Sequence, residues 1–229
     1  MSNFSKVIAI DGPSGSGKST VAKLVAKQNN LVYMDTGAMF RGIALYLHHQ
    51  KISPKEEDKI KDQLTKLDFQ YAKSEECLIE IDGKNLTEAI REHYVSDLAS
   101  KYSQVPSVRQ FLKNLQRKIA AQRPAILEGR DIGTVIFPHA ALKFFLSADP
   151  RIRAERRFLQ LKEKEPSLSI SVDDILADIE ERDQMDRKRK EAPLKQAEDA
   201  IELDTTSLSI SEVVAKITQY YQKNQEKFL

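Results

Sequence analysis

Five short runs of apolar, mostly branched or aromatic residues punctuate the chain: Val7-Ile8-Ala9-Ile10, Leu31-Val32-Tyr33-Met34, Ala125-Ile126-Leu127, Leu142–Leu146 and Ala200–Leu203. Continuous runs of this length predict strands buried on both faces, as in a parallel sheet. Between them the spacing becomes helical. Thr20–Gln28 places Val21, Leu24 and Val25 on one side, and Thr36–Leu47 is a second helix candidate. The later strands are each expected to be followed by a turn and a helical stretch. Strands alternating with helices predict right-handed βαβ units, hence an α/β fold with helices on both faces of a parallel sheet.

Two stretches depart from this rhythm. Phe69-Gln70-Tyr71 and Leu78-Ile79-Glu80-Ile81 alternate apolar and polar, and Asp82-Gly83 follows, the dipeptide of tight hairpins. They predict a small antiparallel sheet within a lobe of about Ser53–Ser103. Glu180–Ala192 is almost entirely charged. It continues a helix predicted to start at Ser171-Val172-Asp173-Asp174, a capping-box signature. Ser209 and Glu212 repeat that signature at the start of a closing helix that turns Val213, Val214 and Ile217 inward.

Composition narrows the classes. The 229 residues are 41% hydrophobic, enough for a core, and Lys+Arg 36 against Asp+Glu 34 leaves a formal net charge of +2. A near-neutral chain argues against a protein coated in basic residues to grip DNA or RNA. One cysteine, Cys77, excludes a disulfide framework and a multi-cysteine metal site. No apolar run approaches the roughly 20 residues that span a bilayer, and Val7–Ile10 is too short for a signal peptide. The expectation is a soluble cytoplasmic protein of one domain with insertions.

Chemistry enters at Gly12-Pro13-Ser14-Gly15-Ser16-Gly17-Lys18-Ser19, followed by Thr20. This is G-x-x-x-x-G-K-[ST] between a strand and a helix, the context the motif requires. Glycines let backbone N–H groups converge on an anion, and the helix N-terminus adds donors and positive dipole. Lys18 reaches toward β- and γ-phosphates, and the Ser19 hydroxyl can ligate Mg²⁺. ATP or another nucleoside triphosphate is the expected ligand. GTPases, shikimate-type kinases, nucleotide kinases and motors share this loop, so it does not set the reaction. There is no Asn-Lys-x-Asp guanine-reading element.

Three further segments are candidates for an acceptor site. In Asp35-Thr36-Gly37-Ala38-Met39-Phe40-Arg41, Thr36 is expected to cap the helix, Gly37 to admit a ligand, and Arg41 to lie one turn on. Glu128-Gly129-Arg130-Asp131 follows a strand, where ligands of open α/β sheets bind. Glu128 either helps hold Mg²⁺ through water, or caps a helix or pairs with an arginine. In Glu181–Lys190, Arg182, Asp186 and Arg189 are spaced by four and three, on one helical face, and Arg182 can pair with Asp186. That segment reads as a solvated face, a basic nucleic-acid or localisation patch, or a lid closing over phosphates. Arginine forks bind phosphate oxygens bidentately. Seven of the thirteen arginines fall within residues 151–189, a local concentration that the net charge conceals.

The segments IDGPSGSGKST (Ile10–Thr20), YMDTGAMFR (Tyr33–Arg41), AIREHYVSDLAS (Ala89–Ser100), PSVRQFL (Pro106–Leu112), EGRDIGTVIFP (Glu128–Pro138), ERDQMDRKRKEAPL (Glu181–Leu194) and LDTTSLSISEVV (Leu203–Val214) occur in one order over nearly the whole chain. Together they resemble the bacterial cytidylate kinases, a P-loop nucleoside monophosphate kinase family. The resemblance implies a P-loop NTPase-type parallel sheet flanked by helices, a small antiparallel insert in the NMP-binding region and a short helical lid. It implies a single domain with a core at about 1–35, 104–150 and 195–229, an NMP-binding region at about 36–103, and a helix plus lid at about 151–194. It implies ATP + CMP ⇌ ADP + CDP, with dCMP as a second acceptor, Mg²⁺ as cofactor, a monomeric state and no nucleic-acid or membrane partner. Carried over by motif, Ser100, Arg109 and Asp131 read the cytosine edge, and Arg41, Arg130 and Arg189 hold the acceptor phosphate. Arg182 and Asp186 contact ribose or phosphates, and Thr36 fills a position that is Ser or Thr in the family. Arg153 and Arg157 resemble arginines that meet the transferring phosphoryl group, with Arg151 and Arg156 as neighbours that could be mistaken for them. Phe40 stands where tyrosine is common. The rival readings are a P-loop kinase for UMP, AMP, shikimate or dephospho-coenzyme A, and a nucleotide-switch or nucleic-acid module. His48-His49, Cys77 and Tyr220-Tyr221 read as packing or surface residues.

Overall fold

The structure, a computed structural model, describes residues 6–74 and 76–228. The chain opens with β1 (Val7–Asp11), α1 (Lys18–Asn29), β2 (Val32–Asp35), α2 (Thr36–His49) and α3 (Glu57–Lys66). Next come β3 (Phe69–Ser74), β4 (Cys77–Ile81), β5 (Lys84–Asn85), α4 (His93–Tyr102) and α5 (Pro106–Ala120). The last part holds β6 (Ala125–Gly129), a π-helical turn at Ile132–Ile136, β7 (Leu142–Ser147), α6 (Pro150–Lys164), α7 (Val172–Lys188), β8 (Ile201–Asp204) and α8 (Ile210–Lys223). The chain divides into two compact units. One comprises the described residues up to Met34 and from Ile119 onward, and the other is Asp35–Lys118.

The first unit is built on a five-stranded sheet of order β2-β6-β1-β7-β8. β1 runs parallel to both β6 and β7, and β7 parallel to β8. Every residue of β1 and β6 is buried, as a strand covered on both faces requires. Ile8 and Ile10 join Val21 and Val25 of α1 and Val213, Val214 and Ile217 of α8 in one core. Val7 and Ala9 point to the other face and are equally buried. Two expectations fail here. Leu24 is exposed, and Ala22 and Ala26 are buried with Val21 and Val25. The inward arc of α1 is therefore Val21, Ala22, Val25 and Ala26, whose spacing keeps them on one side of the helix. After β6 there is only the five-residue π-helical turn. Asp11 captures the N–H groups of Ile132 and Gly133, and β7 begins too soon for a full helix to form.

The capping boxes form as predicted. Ser171 and Asp174 exchange bonds at the start of α7, and Ser209 and Glu212 do so at the start of α8.

In the second unit, β3, β4 and β5 form an antiparallel sheet. Its register pairs Phe69 with Ile81 and Tyr71 with Ile79. Ile79 and Ile81 are buried, while Glu80 between them takes an ion pair from Lys73 at 2.6 Å. Asp82 (φ 49°) and Gly83 (φ 75°) make the turn, both in the left-handed region that a two-residue hairpin loop uses. Gly42 of α2 allows close approach to β4, since a Cβ there would lie 2.8 Å from Ile79 Cγ2. Cys77 is buried in this sheet, and burial pushes its thiol upward.

Candidate nucleotide site

The phosphate loop is shaped by backbone geometry. At Gly12 φ is +146°, and a Cβ would sit 2.1 Å from the carbonyl oxygen of Leu146. Gly17 (φ 86°) precedes α1, which starts at Lys18 with no side-chain cap, two residues earlier than the periodicity suggested. A helix N-terminus left uncapped by side chains presents its amides and dipole to an anion. Ser16 Oγ donates to the Pro13 carbonyl at 3.0 Å. Lys18 folds back over the loop, donating to Pro13 O at 2.5 Å and Ser16 Oγ at 3.3 Å. Burial lowers its pKa to about 7; the charge of Arg130 acts in the same direction, and Glu128, Asp11 and Asp183 oppose it. Ser19 Oγ donates to Glu128 Oε1 at 2.7 Å.

The register of the sheet brings the second motif beside the first. Ile10 pairs with Glu128 and Asp11 with Gly129, so the phosphate loop and Arg130-Asp131 leave adjacent strands at their carboxyl ends, the binding edge of open α/β sheets. Asp11 bridges them. Its carboxylate accepts from Ile132 N at 2.8 Å and Gly133 N at 2.7 Å. Burial outweighs these two bonds and raises its pKa to about 7.

Helix α7 reaches the same edge. Arg130 Nε donates to Asp186 Oδ2 at 2.8 Å. Arg189 lies 3.4 Å from Asp131 Oδ1 and 3.5 Å from Asp186 Oδ1. The shared helical face expected for Arg182, Asp186 and Arg189 is not how Arg189 arrives. Arg189 is the C-cap, in extended backbone, and leaving the helix turns its guanidinium to Asp131 and the Ala192 carbonyl. Asp183, one residue from Arg182, is buried and pairs with Arg153 at 2.7 Å.

The four arginines of α6 diverge. Arg151 faces outward to Asp173 and Glu155. Arg153 turns inward, donating to Ser14 O at 2.8 Å and Ala148 O at 3.1 Å. Arg156 donates to the Thr205 carbonyl at 2.6 Å. Arg157 is half-buried. Thr205 in turn donates to Ser16 O at 3.2 Å, so the phosphate loop is held from α6 and from the end of β8.

Thr36, Arg41, Ser100 and Arg109 belong to the second unit. The cap of α2 is Asp35, whose Oδ1 accepts from Ala38 N at 2.7 Å, and not Thr36, which is buried in the first turn. The Asp35 carboxylate is the stronger acceptor and stands one residue earlier, at the position from which an N-cap reaches the N3 amide. Arg41 returns to Asp35 at 3.3 Å over Gly37, where a Cβ would crowd both side chains at 3.2 Å. Ser100 Oγ donates to Ser96 O at 3.2 Å. Arg109 donates to Ser103 O at 3.2 Å and lies 5.6 Å from the ring centroid of Phe40, a cation–π contact that the phenylalanine preserves without a hydroxyl.

Asp11, Asp35 and Asp183 were not singled out as site residues in the sequence. Asp183 had a usable signal: it lies four residues after Ile179 and eight after Ile175, both buried, so the period places it inward despite the charges around it.

The profile of the cytidylate kinase family matches residues 8–223. The chain belongs to the cytidylate kinase family. It is 48% identical over 210 residues to the cytidylate kinase of Fervidobacterium nodosum, spanning 92% of this chain and 93% of that one. The cytidylate kinase of Clostridium tetani is 45% identical over 213 residues, with 93% and 92% covered. That of Lactobacillus gasseri is 42% identical over 225 residues, with 98% and 97% covered. This family membership extends over both units and all the motifs described above.

Proposed function

We propose that this chain transfers the γ-phosphoryl group of ATP to CMP or dCMP, giving ADP and CDP or dCDP. The observation that carries this reading is the extent of the kinship: relatives named cytidylate kinase cover 92% of the chain or more at 42–48% identity. In this reading Gly12–Thr20 and the start of α1 receive the donor phosphates, and Lys18 supplies charge where it develops. Ser19 and Glu128 suit Mg²⁺. They are an oxygen pair 2.7 Å apart beside the loop, and Mg²⁺ prefers one or two protein oxygens plus phosphates. When bound, the ion neutralises phosphate charge.

On the acceptor side, Arg130 and Arg189 neutralise the CMP phosphate, aligned by Asp186. Asp131 reads the base, and Arg182 meets ribose or phosphate. By the sequence resemblance, about 36–103 serves as the CMP-binding region and about 151–194 as helix and lid, with Thr36 in the acceptor motif, Arg41 toward the phosphate, and Ser100 and Arg109 toward the base. The role of Arg157 at the transferring group rests on the sequence resemblance. No general base is needed, because the CMP phosphate is already anionic and attacks once aligned. Positioning and charge neutralisation carry the step. The enzyme is read as a cytoplasmic monomer acting on small molecules only.

The test is ADP release with Mg-ATP and CMP, dCMP, UMP, AMP, GMP or shikimate in turn. CMP and dCMP are expected to dominate; faster turnover with another acceptor, or acceptor-independent hydrolysis as the main activity, overturns the reading. Lys18→Ala is expected to lower kcat at least about 10²-fold with the fold retained by circular dichroism. Asp131→Ala is expected to relax selectivity for CMP over UMP.

A further inference from the structure

The phosphate loop of this chain is gripped at Ser14 by two side chains from different helices. Arg153 of α6 donates to the Ser14 carbonyl at 2.8 Å. Asp183 of α7 accepts from the Ser14 N–H at 3.4 Å, and the two side chains pair at 2.7 Å with side-chain exposures of only 3% and 9%. A buried ion pair is poor evidence for stability, since apolar residues of similar volume often serve as well or better. What an apolar pair could not do is engage the peptides on both sides of one residue.

The consequence follows from peptide planarity. In a trans peptide the C=O and the next N–H point in opposite directions. An arginine that holds the Ser14 carbonyl therefore turns the Gly15 N–H away from itself. Gly15 has φ +76°, and a Cβ there would meet the Arg153 Cβ at 3.0 Å. The helix thus lies hard against the outer side of the loop, and the Gly15 N–H is left on the opposite, inner side. Backbone N–H groups of this loop type are what cradle nucleotide phosphates. The opposite anchor, Thr205 donating to the Ser16 carbonyl, sets the Gly17 N–H by the same rule.

We propose that Asp183, acting through Arg153, is a positioning residue for the donor nucleotide, fixing the Ser14–Gly15 peptide so that the Gly15 N–H is presented to the phosphates. This rests on the kinase reading. Asp183 touches neither substrate: its work is to hold the Arg153 fork in the one orientation that bonds the Ser14 carbonyl, and to cancel its charge inside the fold. It differs in this from Asp186, three residues on, which engages Arg130 and Arg189 on the acceptor side.

The experiment compares wild type, Asp183→Asn and the double variant Arg153→Met/Asp183→Leu, measuring KM for ATP, KM for CMP, kcat, Tm, and the Kd of a non-hydrolysable ATP analogue without CMP. Asp183→Asn is expected to raise KM for ATP and the analogue Kd at least fivefold while KM for CMP stays within twofold. The double variant is expected to keep Tm within a few degrees yet weaken the analogue at least tenfold. Unchanged analogue affinity in either variant overturns the proposal. So does a rise in KM for CMP that matches the rise for ATP, which would mean that α7 as a whole had shifted. Failure of both variants to fold would make the pair purely structural and sink the idea as well. Failure of the kinase reading is separate: wild type would then show no CMP-dependent ADP release.

Discussion

The two sheets of this protein bury their surfaces by opposite patterns. β1 and β6 of the five-stranded sheet are buried at every residue, whereas β4 of the three-stranded sheet is buried only at Cys77, Ile79 and Ile81. The first pattern leaves no exposed face for charge, so charge collects where the parallel strands end. Asp11, Glu128 and Asp131 are all buried there, each bonded to an amide, a hydroxyl or an arginine. The second pattern keeps charge on the open face, as in the Lys73–Glu80 pair, with a lysine more than half exposed. A parallel sheet aligns all its carboxyl ends on one edge and can thereby concentrate buried, paired charge. A hairpin sheet alternates direction and spreads it into solvent.

This contrast predicts that the first unit fails through backbone and charge, and the second through lost apolar volume. The largest effect is expected at Gly12→Ala. A Cβ 2.1 Å from the Leu146 carbonyl cannot be accommodated by a side-chain rotation, so a loss of at least about 4 kcal/mol is expected, seen as insoluble protein or a collapsed Tm. Next is Ile79→Ala, which empties a fully buried position of β4. It is expected to cost about 3 kcal/mol in urea unfolding; a cost under about 1 kcal/mol would mean that the small sheet is not held by its apolar face.

A smaller effect concerns Asp11. Burial raises its pKa to about 7, from 3.8. The native state thus keeps a proton that the unfolded chain releases near pH 4. The stability this contributes is full below pH 4 and is lost as pH rises through about 7. The destabilisation caused by Asp11→Asn should therefore shrink by about 2 kcal/mol between pH 5 and 7, measured by denaturant unfolding at each pH. A pH-independent difference would mean that Asp11 is ionised throughout. Lys18 is one of the charges that act on Asp11, and burial lowers its own pKa to about 7, so it begins to titrate at the upper end of this range. Smallest of all is Gly83→Ala in the hairpin turn, where a Cβ meets nothing and only φ +75° is strained. About 1 kcal/mol is expected, with activity unchanged.

Much of the site was legible in the chain itself. The phosphate loop, the capping boxes at Ser171 and Ser209 and the Asp82-Gly83 turn close within a few residues, so their geometry depends on residues the sequence places side by side. Helical spacing located the segment carrying Arg182, Asp186 and Arg189, though it put Arg189 on the helix when it is the C-cap. The same spacing applied to Ile175, Ile179 and Asp183 would have marked Asp183 as inward, but a run of charges obscured it. Asp35 and Thr36 are neighbouring oxygen acceptors, and only the backbone at the start of α2 separates the cap from the first turn.

What the sequence determined alone is the set of local devices: the anion-binding loop, the alternation of buried strands with helices, and the hairpin insert. Tertiary structure decided which distant charges meet. Arg153 selects Asp183, Arg130 selects Asp186, and Asp11 selects the amides of Ile132 and Gly133, across separations of 30, 56 and more than 120 residues. Those pairings depend on β6 and β7 flanking β1 in the order β2-β6-β1-β7-β8. Buried strands of nearly interchangeable branched residues do not encode their neighbours locally. The order is chosen by how the helices cover both faces, and only once it is set can a buried carboxylate find the partner that makes its burial tolerable.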